Sequence, residues 1–454
     1  MSTLRSIRCA VGVLALASAN RLEAQAPPRS APPSDRVSLD QYLDIEDVQA
    51  PRLAPDGKQV IYTRRWIDKM NDRWESALWM VNTDGSRNRF LTKGSNAIWS
   101  EDGARIAYVA PVGADNPQPQ IFVRWMDAEG ATSQITRLDH PPADLEWSPD
   151  GKWMLFSMGE AVPSPSAVKI KMPEAPKGAK WIAPPTVVTR LKWRADRQGI
   201  FPDEYRQLWI VPTEGGTPRR LTSGPWNHAD PHWTPDGKAV LFSSHRVPDA
   251  EFWARESEIY SVDVASGAIR EITHHPGPDA SPRPSPDGKL IAFTSHDSTD
   301  DTHRETSMFV MHADGSGRRE LTPGLDRSPQ NMQWANDGSG IYFNVQDRGN
   351  QDLYFAPVAG GYRAVTSATT SGKMHVLAVA DVDRAGRAVA TLSTPTLSSN
   401  VVTFSVREPA KMTTLTQVND EQFAGKKLGA TEEIWYTAKD GFKVQGWIIK
   451  PPDF

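Results

Sequence analysis

The sequence predicts an all-β protein, a seven-bladed β-propeller built from four-stranded blades. Three observations support this: a turn motif close to W-S-P-D-G-K recurs, each copy precedes two apolar runs, and each unit ends in an aliphatic residue followed by Thr. The turn glycines are Gly57, Gly103, Gly151, Gly237, Gly288 and Gly338, and a worn seventh copy starts at Val379. A repeat of about 45 to 50 residues is the usual size of a propeller blade.

The residues of the turn motif have a direct physical explanation. Asp-Gly supplies a residue that tolerates positive φ, as tight hairpins require, so each Asp is interpreted as a turn residue. The flanking runs are nearly continuous in Val, Ile, Phe, Tyr and Trp, which is expected when both faces of a sheet are buried. The tryptophans before the turns are interpreted as packing residues between blades, and they are Trp99, Trp147, Trp233 and Trp334.

Residues 1–26 are predicted to be a secretory signal peptide. Two arginines precede an apolar run from Cys9 to Ala19, and small residues follow it. Cleavage after Ala19 and cleavage after Ala26 both fit. The run is shorter than the roughly 20 apolar residues that span a bilayer. We therefore expect a periplasmic or secreted protein with no membrane attachment after cleavage.

Composition and net charge limit the classes of binding partner that we expect for the protein. The 454 residues carry a formal net charge of −4 and are 39% hydrophobic, which is typical of a globular protein and does not favour nucleic acid as a partner. Cys9, the one cysteine, lies in the signal. The mature protein is therefore expected to have neither a disulfide nor a thiol nucleophile.

The repeat pattern divides the rest of the chain into three parts. Residues 27–50 form an N-terminal segment with one short helix expected at Ser38–Asp44. Residues 51–430 hold the seven blades. Residues 431–454 (TEEIWYTAKDGFKVQGWIIKPPDF from Thr431) predict a hairpin that begins another domain, because a two-stranded hairpin is marginal by itself.

One step between turn glycines is far longer than the others. Gly151 and Gly237 lie 86 residues apart, against 46 to 51 elsewhere. The extra length forms a long insertion, residues 158–207, between the second and third strands of blade three. We expect it on the same face as the between-blade loops and both ends of the propeller. Long loops are often functional, and the candidates in this one are Arg190, Arg194, Asp196, Glu204 and Tyr205, with Glu251 and Glu256 as weaker candidates in a smaller insertion of blade four.

The ending D-G-F-x-V-Q-G-W-I-I-K-P-P-D-F resembles the first hairpin of the α/β-hydrolase domain in the prolyl oligopeptidase family of serine peptidases. The blade-three segment from Val187 (VVTRLKWRADRQGIFPDEYRQLW) and the WSPDGK blades resemble the acylaminoacyl-peptidase and dipeptidyl-peptidase-5 branch of that family. The resemblance covers nearly all of the mature chain.

This resemblance implies a propeller that caps a catalytic domain and admits short peptides. The partners it implies are the protein's own C-terminal α/β-hydrolase domain and peptide substrates, with no cofactor. Arg190 and Arg194 would then bind a substrate carboxylate or carbonyl and Glu204 a free amine, beside Tyr205. The sequence contains no G-x-S-x-G elbow, so no catalytic residue is assigned and the chain alone is expected to be inactive.

Three other interpretations have less support. A propeller lyase or glycosidase needs paired carboxylates around the central channel, and no spacing in the sequence identifies them. A stand-alone periplasmic propeller of the TolB kind would bind proteins, but TolB-like chains carry an α/β domain before six blades, and TolB does not explain the terminal hairpin. Metal binding is not favoured, because Pro231 separates His228 from His232 in what is expected to be a between-blade loop, and adjacent His274 and His275 point apart when extended.

Overall fold

The computed structural model describes residues 34–113, 117–161, 173–179, 181, 188, 190–196, 198–253, 255–301, 303–367 and 374–454. Over these ranges β-strands make up nearly all of the regular secondary structure, which confirms the all-β class. The predicted signal peptide, residues 1–26, lies outside them. In the part of the chain described, no helix is both long and apolar enough to cross a bilayer.

The first three sheets are antiparallel and have four strands each, in chain order. The first contains β1 (Asp47–Leu53), β2 (Gln59–Asp68), β3 (Arg73–Asn82) and β4 (Arg89–Lys93). The second contains β5 (Ser95–Trp99), β6 (Arg105–Val112), β7 (Gln118–Trp125) and β8 (Thr132–Gln134). The third begins with β9 (Pro142–Trp147) and β10 (Trp153–Ala161), continues after a small hairpin of β11 (Arg194–Ala195) and β12 (Gly199–Ile200), and ends with β13 (Glu204–Pro212) and β14 (Arg219–Arg220).

Two more four-stranded sheets and one larger sheet follow. The fourth sheet contains β15 (His228–Trp233), β16 (Ala239–Ser244), β17 (Glu258–Asp263) and β18 (Ile269–Glu271), with a 3-10 helix, Ala250–Phe252, before β17. The fifth contains β19 (Asp279–Pro284), β20 (Leu290–Ser295), β21 (Ser307–His312) and β22 (Arg319–Glu320).

The last part of the repeat region forms a single eight-stranded sheet. Its strands are β23 (Gln330–Trp334), β24 (Gly340–Asp347), β25 (Asn350–Pro357), β26 (Arg363–Ala364), β27 (Val376–Val382), β28 (Arg387–Thr394), β29 (Leu397–Ser405) and β30 (Glu408–Thr414). Among the residues described, one parallel strand pair, Gln351 with Val376, joins its two halves. The strands before and after that pair each follow the order seen in the four-stranded sheets.

Short elements flank the sheets. Helix α1 (Leu39–Leu43) precedes β1, and its Ser38 cap accepts a hydrogen bond from the backbone N–H of Gln41 at 3.1 Å, where the sequence predicts a helix. Helix α2 (Asp420–Phe423) follows β30, and the hairpin of β31 (Thr431–Thr437) and β32 (Lys443–Ile449) comes last.

Hydrophobic cores lie between neighbouring sheets. Ile61 and Leu78 of the first sheet share a cluster with Ile106 of the second, for example. Another cluster joins Tyr62 of the first sheet to Val401 of the last, so the first and last sheets are also neighbours. Burial of these apolar sheet faces is the main contribution to the stability of the fold, because it removes a large apolar surface from water.

The W-S-P-D-G-K motif forms the turn between the first and second strands of a sheet. In the third sheet, Ser148 Oγ donates to Asp150 Oδ1 at 2.6 Å, and Asp150 Oδ1 accepts from Lys152 N at 3.1 Å. Gly151 follows with a φ of 68°, which a residue without Cβ adopts at low cost. These hydrogen bonds lower the pKa of Asp150. The Asp is therefore a turn residue, as predicted.

The tryptophans that precede these turns connect adjacent sheets. The Nε1–H groups of Trp99, Trp147 and Trp334 each donate to a backbone carbonyl of the preceding sheet, on Arg52, Ile98 and Arg283 respectively, at 2.9 to 3.3 Å. Trp147, Trp233 and Trp334 are buried. Their predicted packing role between units is confirmed.

The aliphatic-Thr ending also has a structural cause. Thr222 Oγ1 accepts from Leu208 N at 2.9 Å and donates to Gln207 Oε1 at 3.1 Å. Thr136 with Gln120 and Thr416 with Asn400 make the same pair of hydrogen bonds in their own sheets. The Thr thereby satisfies a buried backbone donor near the end of the short outer strand.

The connections fall at two ends of the sheets. The short W-S-P-D-G-K turns lie at one end. The connections between second and third strands, and those between sheets, lie at the other, which we call the loop face. On it, the side chain of Lys69, between β2 and β3, contacts Asp44 before β1 at 2.6 Å.

The terminal hairpin also contacts the loop face. Gln445 Nε2 on β32 donates to the carbonyl of Arg348, between β24 and β25, at 3.2 Å. Lys427, before the hairpin, pairs with Asp35 at 2.9 Å, so both ends of the described chain meet there.

Candidate functional site

A cleft of about 620 Å³ lies on the loop face between the third and fourth sheets. Its walls come from the end of the long third-sheet connection, the start of β13, the segment before β15 and the β16–β17 connection. The long connection is shorter than predicted, because Met158 to Ala161 pair in register with Gln207 to Glu204. It therefore spans residues 162–203.

Two hydrogen bonds hold the walls of the cleft together. Leu191 N, in the long connection, donates to Glu251 Oε2 in the β16–β17 connection at 2.9 Å. Trp226 Nε1 donates to the carbonyl of Val247 at 3.0 Å. These bonds join residues that are far apart in the chain, and they fix the width of the cleft.

Arg190 and Tyr205, both predicted site residues, line the cleft and contact each other. The guanidinium of Arg190 lies 4.5 Å from the centre of the Tyr205 ring, a cation–π contact. Arg190 Nη1 also donates to the carbonyl of Glu204 at 3.2 Å and lies 3.7 Å from Asp203 Oδ1. Much of the charge of Arg190 is thus already compensated, and the residue secures the connection to β13.

Glu204 is the predicted site residue whose carboxylate is best placed for a ligand. It lines the cleft as the first residue of β13, opposite Ala161 on β10. Its Oε2 lies 3.3 Å from His140 Nδ1. In the part of the chain that the structure describes, Oε1 accepts no hydrogen bond, which leaves it available to a donor in the cleft.

Arg194 lies outside the cleft wall. Its guanidinium stacks 5.6 Å from the ring centre of neighbouring Trp193, and Nη2 is 3.9 Å from the exposed carboxylate of Asp196. Arg194 belongs to the small hairpin β11–β12. The predicted substrate-binding role of Arg194 stays a prediction.

The two weaker candidates, Glu251 and Glu256, both line the cleft. Glu256 accepts from Gly277 N at 2.7 Å and from Ser298 Oγ at 2.6 Å, so it also holds two neighbouring loops. With Glu204 and Asp249, they bring four carboxylates to one cleft, which three cationic side chains also line. Carboxylates in a cleft attract a cationic group such as a peptide amine.

Sequence reasoning missed the aromatic and polar residues that complete the cleft. Trp226, Asn227 and Trp253 line it, and Asn227 Oδ1 accepts from Arg206 N at 2.8 Å. They sit in connections with no repeated motif. No pattern in the sequence places them beside Glu204, because only the packing of two sheets brings them there.

A buried histidine, His228, contacts the backbone of a residue that lines the cleft. His228 Nε2 lies 2.6 Å from Arg246 Nη1, and His228 Nδ1 lies 3.0 Å from the carbonyl of Arg206. Burial lowers the pKa of His228 to about 4. The ring is therefore neutral, with Nδ1–H donating to the carbonyl and Nε2 accepting from Arg246.

The histidine pair of the sequence analysis lies on a strand. His228 and His232 both belong to β15, whereas a between-blade loop was expected, and that expectation is wrong. Pro231 is accommodated beside a register shift of the strand, between Ala229 and His232. His232 pairs with Glu146 at 3.1 Å.

A second cavity, of about 720 Å³, is lined by the first strands of several sheets. Asp381 Oδ2 accepts from Leu53 N, and Asp381 Oδ1 from Gln333 Nε2, each at 3.2 Å. Arg52 Nη1 donates to the carbonyl of Ala380 at 2.6 Å. These polar groups join the first sheet to the last, and we assign them to packing of the sheets.

Comparison with known proteins gives the chain a context. Residues 177–302 match the family described as the dipeptidyl peptidase IV (DPP IV) N-terminal region. The chain is 24% identical to the uncharacterized peptidase YuxL of Bacillus subtilis over 451 residues, covering 91% of this chain and 64% of that protein. It is also 24% identical to dipeptidyl-peptidase 5 of Porphyromonas gingivalis, covering 92% of this chain and 61% of that protein. The chain thus spans about three fifths of the length of these relatives.

Solved structures share the fold. Acylaminoacyl peptidase of Pyrococcus horikoshii superposes with a TM-score of 0.68 at 16% identity, covering 90% of this chain and 58% of that one. The β-propeller domain of the trilobed protease from Pyrococcus furiosus superposes with a TM-score of 0.57 at 16% identity, covering 83% of this chain and all of that one. The family match and the peptidase relatives along most of the chain, together with this shared fold, support a resemblance of the chain to the propeller portion of prolyl oligopeptidase-family peptidases.

Proposed function

We propose that this chain is the substrate-gating, seven-bladed propeller of an exported serine peptidase that hydrolyses short peptides. The seven-unit repeat and the packing of the first sheet against the last support a closed ring. The observation that carries the functional proposal is the cleft: carboxylates, aromatic rings and Arg190 meet on the loop face, where the terminal hairpin also lies.

The loop face also carries apolar surface that suits a catalytic domain. Leu39 of α1 is 85% exposed, and Ile449 of β32 is 68% exposed. Trp435, Tyr436 and Phe442 of the hairpin are exposed as well. Apolar groups on so small a hairpin do not stabilise it alone. We propose that an α/β-hydrolase domain covers them and so closes the cleft over its active site.

Within the cleft, Glu204 is proposed to bind the free amine of a peptide, with Glu251 and Glu256 adding negative charge. Arg190 and Tyr205 are proposed to contact the peptide backbone beside it. No serine of this chain lies in a G-x-S-x-G elbow. The peptide-cleaving serine is therefore proposed to belong to the hydrolase domain, and this chain by itself is expected not to cleave peptides.

A protein-binding role of the TolB kind is the second candidate. It has one supporting observation, the 28% identity of 46% of this chain to TolB of Anaeromyxobacter dehalogenans. The peptidase relatives cover about twice as much of the chain, and the cleft does not require a protein partner. The peptidase proposal therefore accounts for more of the molecule.

Reading the gene beyond the codon for Phe454 tests the proposal. An in-frame continuation with a G-x-S-x-G motif supports it, and an immediate stop codon contradicts it and favours the protein-binding role. In the uninterrupted product, we expect Glu204→Gln to raise KM for a free-amine peptide about tenfold with little change in kcat. Arg194→Gln, outside the cleft, is the matched control. An unchanged KM for Glu204→Gln would remove the amine site.

A further inference from the structure

A side chain of the protein itself contacts the Glu204 carboxylate, at which we place the amine of a peptide. His140, in the connection before β9, reaches Glu204 Oε2 with its Nδ1 at 3.3 Å. His140 does not line the cleft, whereas Glu204 does. The imidazole and a ligand in the cleft would therefore contact the same carboxylate.

The space around Glu204 lets its carboxylate serve either partner. The carboxylate lies over Gly159 of β10, where a side chain would overlap it. The two side chains of the His140–Glu204 pair are 38% and 27% exposed, so each reaches solvent without leaving the contact. An ion pair of this exposure is weak enough for a ligand to replace it.

We propose that His140 regulates the cleft: when protonated it pairs with Glu204 and opposes a peptide amine, and when neutral it leaves the carboxylate to the amine. This inference rests on the proposed amine site at Glu204. An imidazole changes charge near neutral pH, so the change falls in the range where an exported protein works. The α-amino group stays mostly protonated below about pH 7.5.

The other charged groups near the pair are accounted for. Arg190 is compensated by Asp203, and Arg206 on β13 lies 3.5 Å from Asp144 Oδ2. Lys192, Asp249, Glu251 and Glu256 also line the cleft. His245 also lines it, and burial lowers its pKa, which favours the neutral ring. His140 is the imidazole that contacts the Glu204 carboxylate directly.

The test measures binding of two peptides to this chain by calorimetry between pH 5.5 and 7.0. The peptides are Ala-Phe-Ala amide and its N-acetylated form. For the wild type we expect affinity for the free-amine peptide to rise about five- to tenfold over this range, the effect of one nearby charge in water. His140→Asn and His140→Gln should bind as tightly at pH 5.5 as at pH 7.0. His303→Asn removes a similar exposed pair, with Glu305 at 3.1 Å, and should keep the wild-type profile.

The outcomes separate the inference from the proposed function. Equal pH dependence in the wild type and both His140 variants, with the acetylated peptide bound more weakly, overturns the role of His140 alone. Equal binding of both peptides, or no binding at any pH, overturns the amine site and this inference with it.

Discussion

The carboxylate of Glu204 occupies the space where a side chain of Gly159 would be. The two residues lie on paired strands, β13 and β10, and a methyl group added to Gly159 would overlap the Glu204 carboxyl group. A glycine in the interior of a strand weakens it, so its presence here has a local use. The missing Cβ of Gly159 leaves room for the side chain of Glu204, which lines the cleft.

Gly159→Ala is therefore expected to move the Glu204 carboxylate without unfolding the protein. The overlapping group is the end of a flexible side chain, so we expect the free energy of unfolding to change by less than about 1 kcal/mol. Affinity for a free-amine peptide should fall several-fold. Calorimetry and urea unfolding measure the two effects.

Gly340→Ala is the matched control for that variant. Its added carbon would overlap the backbone carbonyl of Ala356, which cannot move aside cheaply. We expect a loss of about 1–3 kcal/mol in unfolding free energy. Equal stability loss in both variants, or unchanged peptide affinity in Gly159→Ala, would show that Glu204 does not depend on Gly159.

Trp334→Phe and Trp233→Phe separate the hydrogen bond of the repeated tryptophan from its packing. Trp334 Nε1 donates to the carbonyl of Arg283 at 2.9 Å, whereas Trp233 Nε1 is buried and has no hydrogen-bond partner among the described residues. Both variants lose similar apolar area. Trp334→Phe should cost about 1–3 kcal/mol more, because it also leaves a carbonyl without its donor. Urea denaturation of both variants tests this, and equal losses would contradict it.

Glu258→Gln should change how stability depends on pH. Glu258 accepts from Thr273 Oγ1 at 2.6 Å, at the position that Gln207 holds in the third sheet. Burial raises the pKa of Glu258 from 4.5 to about 7. The folded protein therefore holds a proton that the unfolded chain has lost, and stability falls as pH rises from about 4.5 to about 7.

Gln cannot titrate, so the variant should lack this loss. Between pH 5 and pH 8, we expect the wild type to lose about 1–3 kcal/mol of unfolding free energy relative to Glu258→Gln. Urea midpoints at the two pH values provide the comparison. Parallel curves for the two proteins would mean that Glu258 ionises freely in the folded state.

His228 should remain neutral in the folded protein well below pH 6.5. Its pKa of about 4 lies below the usual 6.5, because burial disfavours the charged ring. Stability associated with this group is present above about pH 6.5 and is lost as pH falls toward 4. Nitrogen NMR of labelled histidine should show the Nδ1–H form from pH 5.5 to 8. A titration midpoint near 6.5 would contradict the assignment.

Much of the fold could be predicted because its signals are local. The turn Asp and Gly, the tryptophan before them and the Thr that ends each unit act through residues of the same or the adjacent sheet. Helix α1 was also predicted, from Ser38 onward. In contrast, the sequence did not predict that the last eight strands form one sheet, since one parallel pair among the described residues, Gln351 with Val376, joins its halves.

Of the four predicted site residues, Arg190, Glu204 and Tyr205 line one cleft and Arg194 does not. All four lie within 16 residues of one another, but spacing in an irregular connection does not determine direction. Arg194 lies on the small hairpin β11–β12, whereas pairing of β13 with β10 brings the Glu204 carboxylate against Gly159.

The sequence by itself determined the repeated unit, its turns and the buried strands, because each depends on side chains a few residues apart that recur in every copy. Only the tertiary structure decided which side chains share the cleft, since Leu191 meets Glu251 and His140 meets Glu204 across connections with no repeated pattern. Such contacts depend on how neighbouring sheets pack, and packing places residues 60 or more positions apart within hydrogen-bond distance of each other.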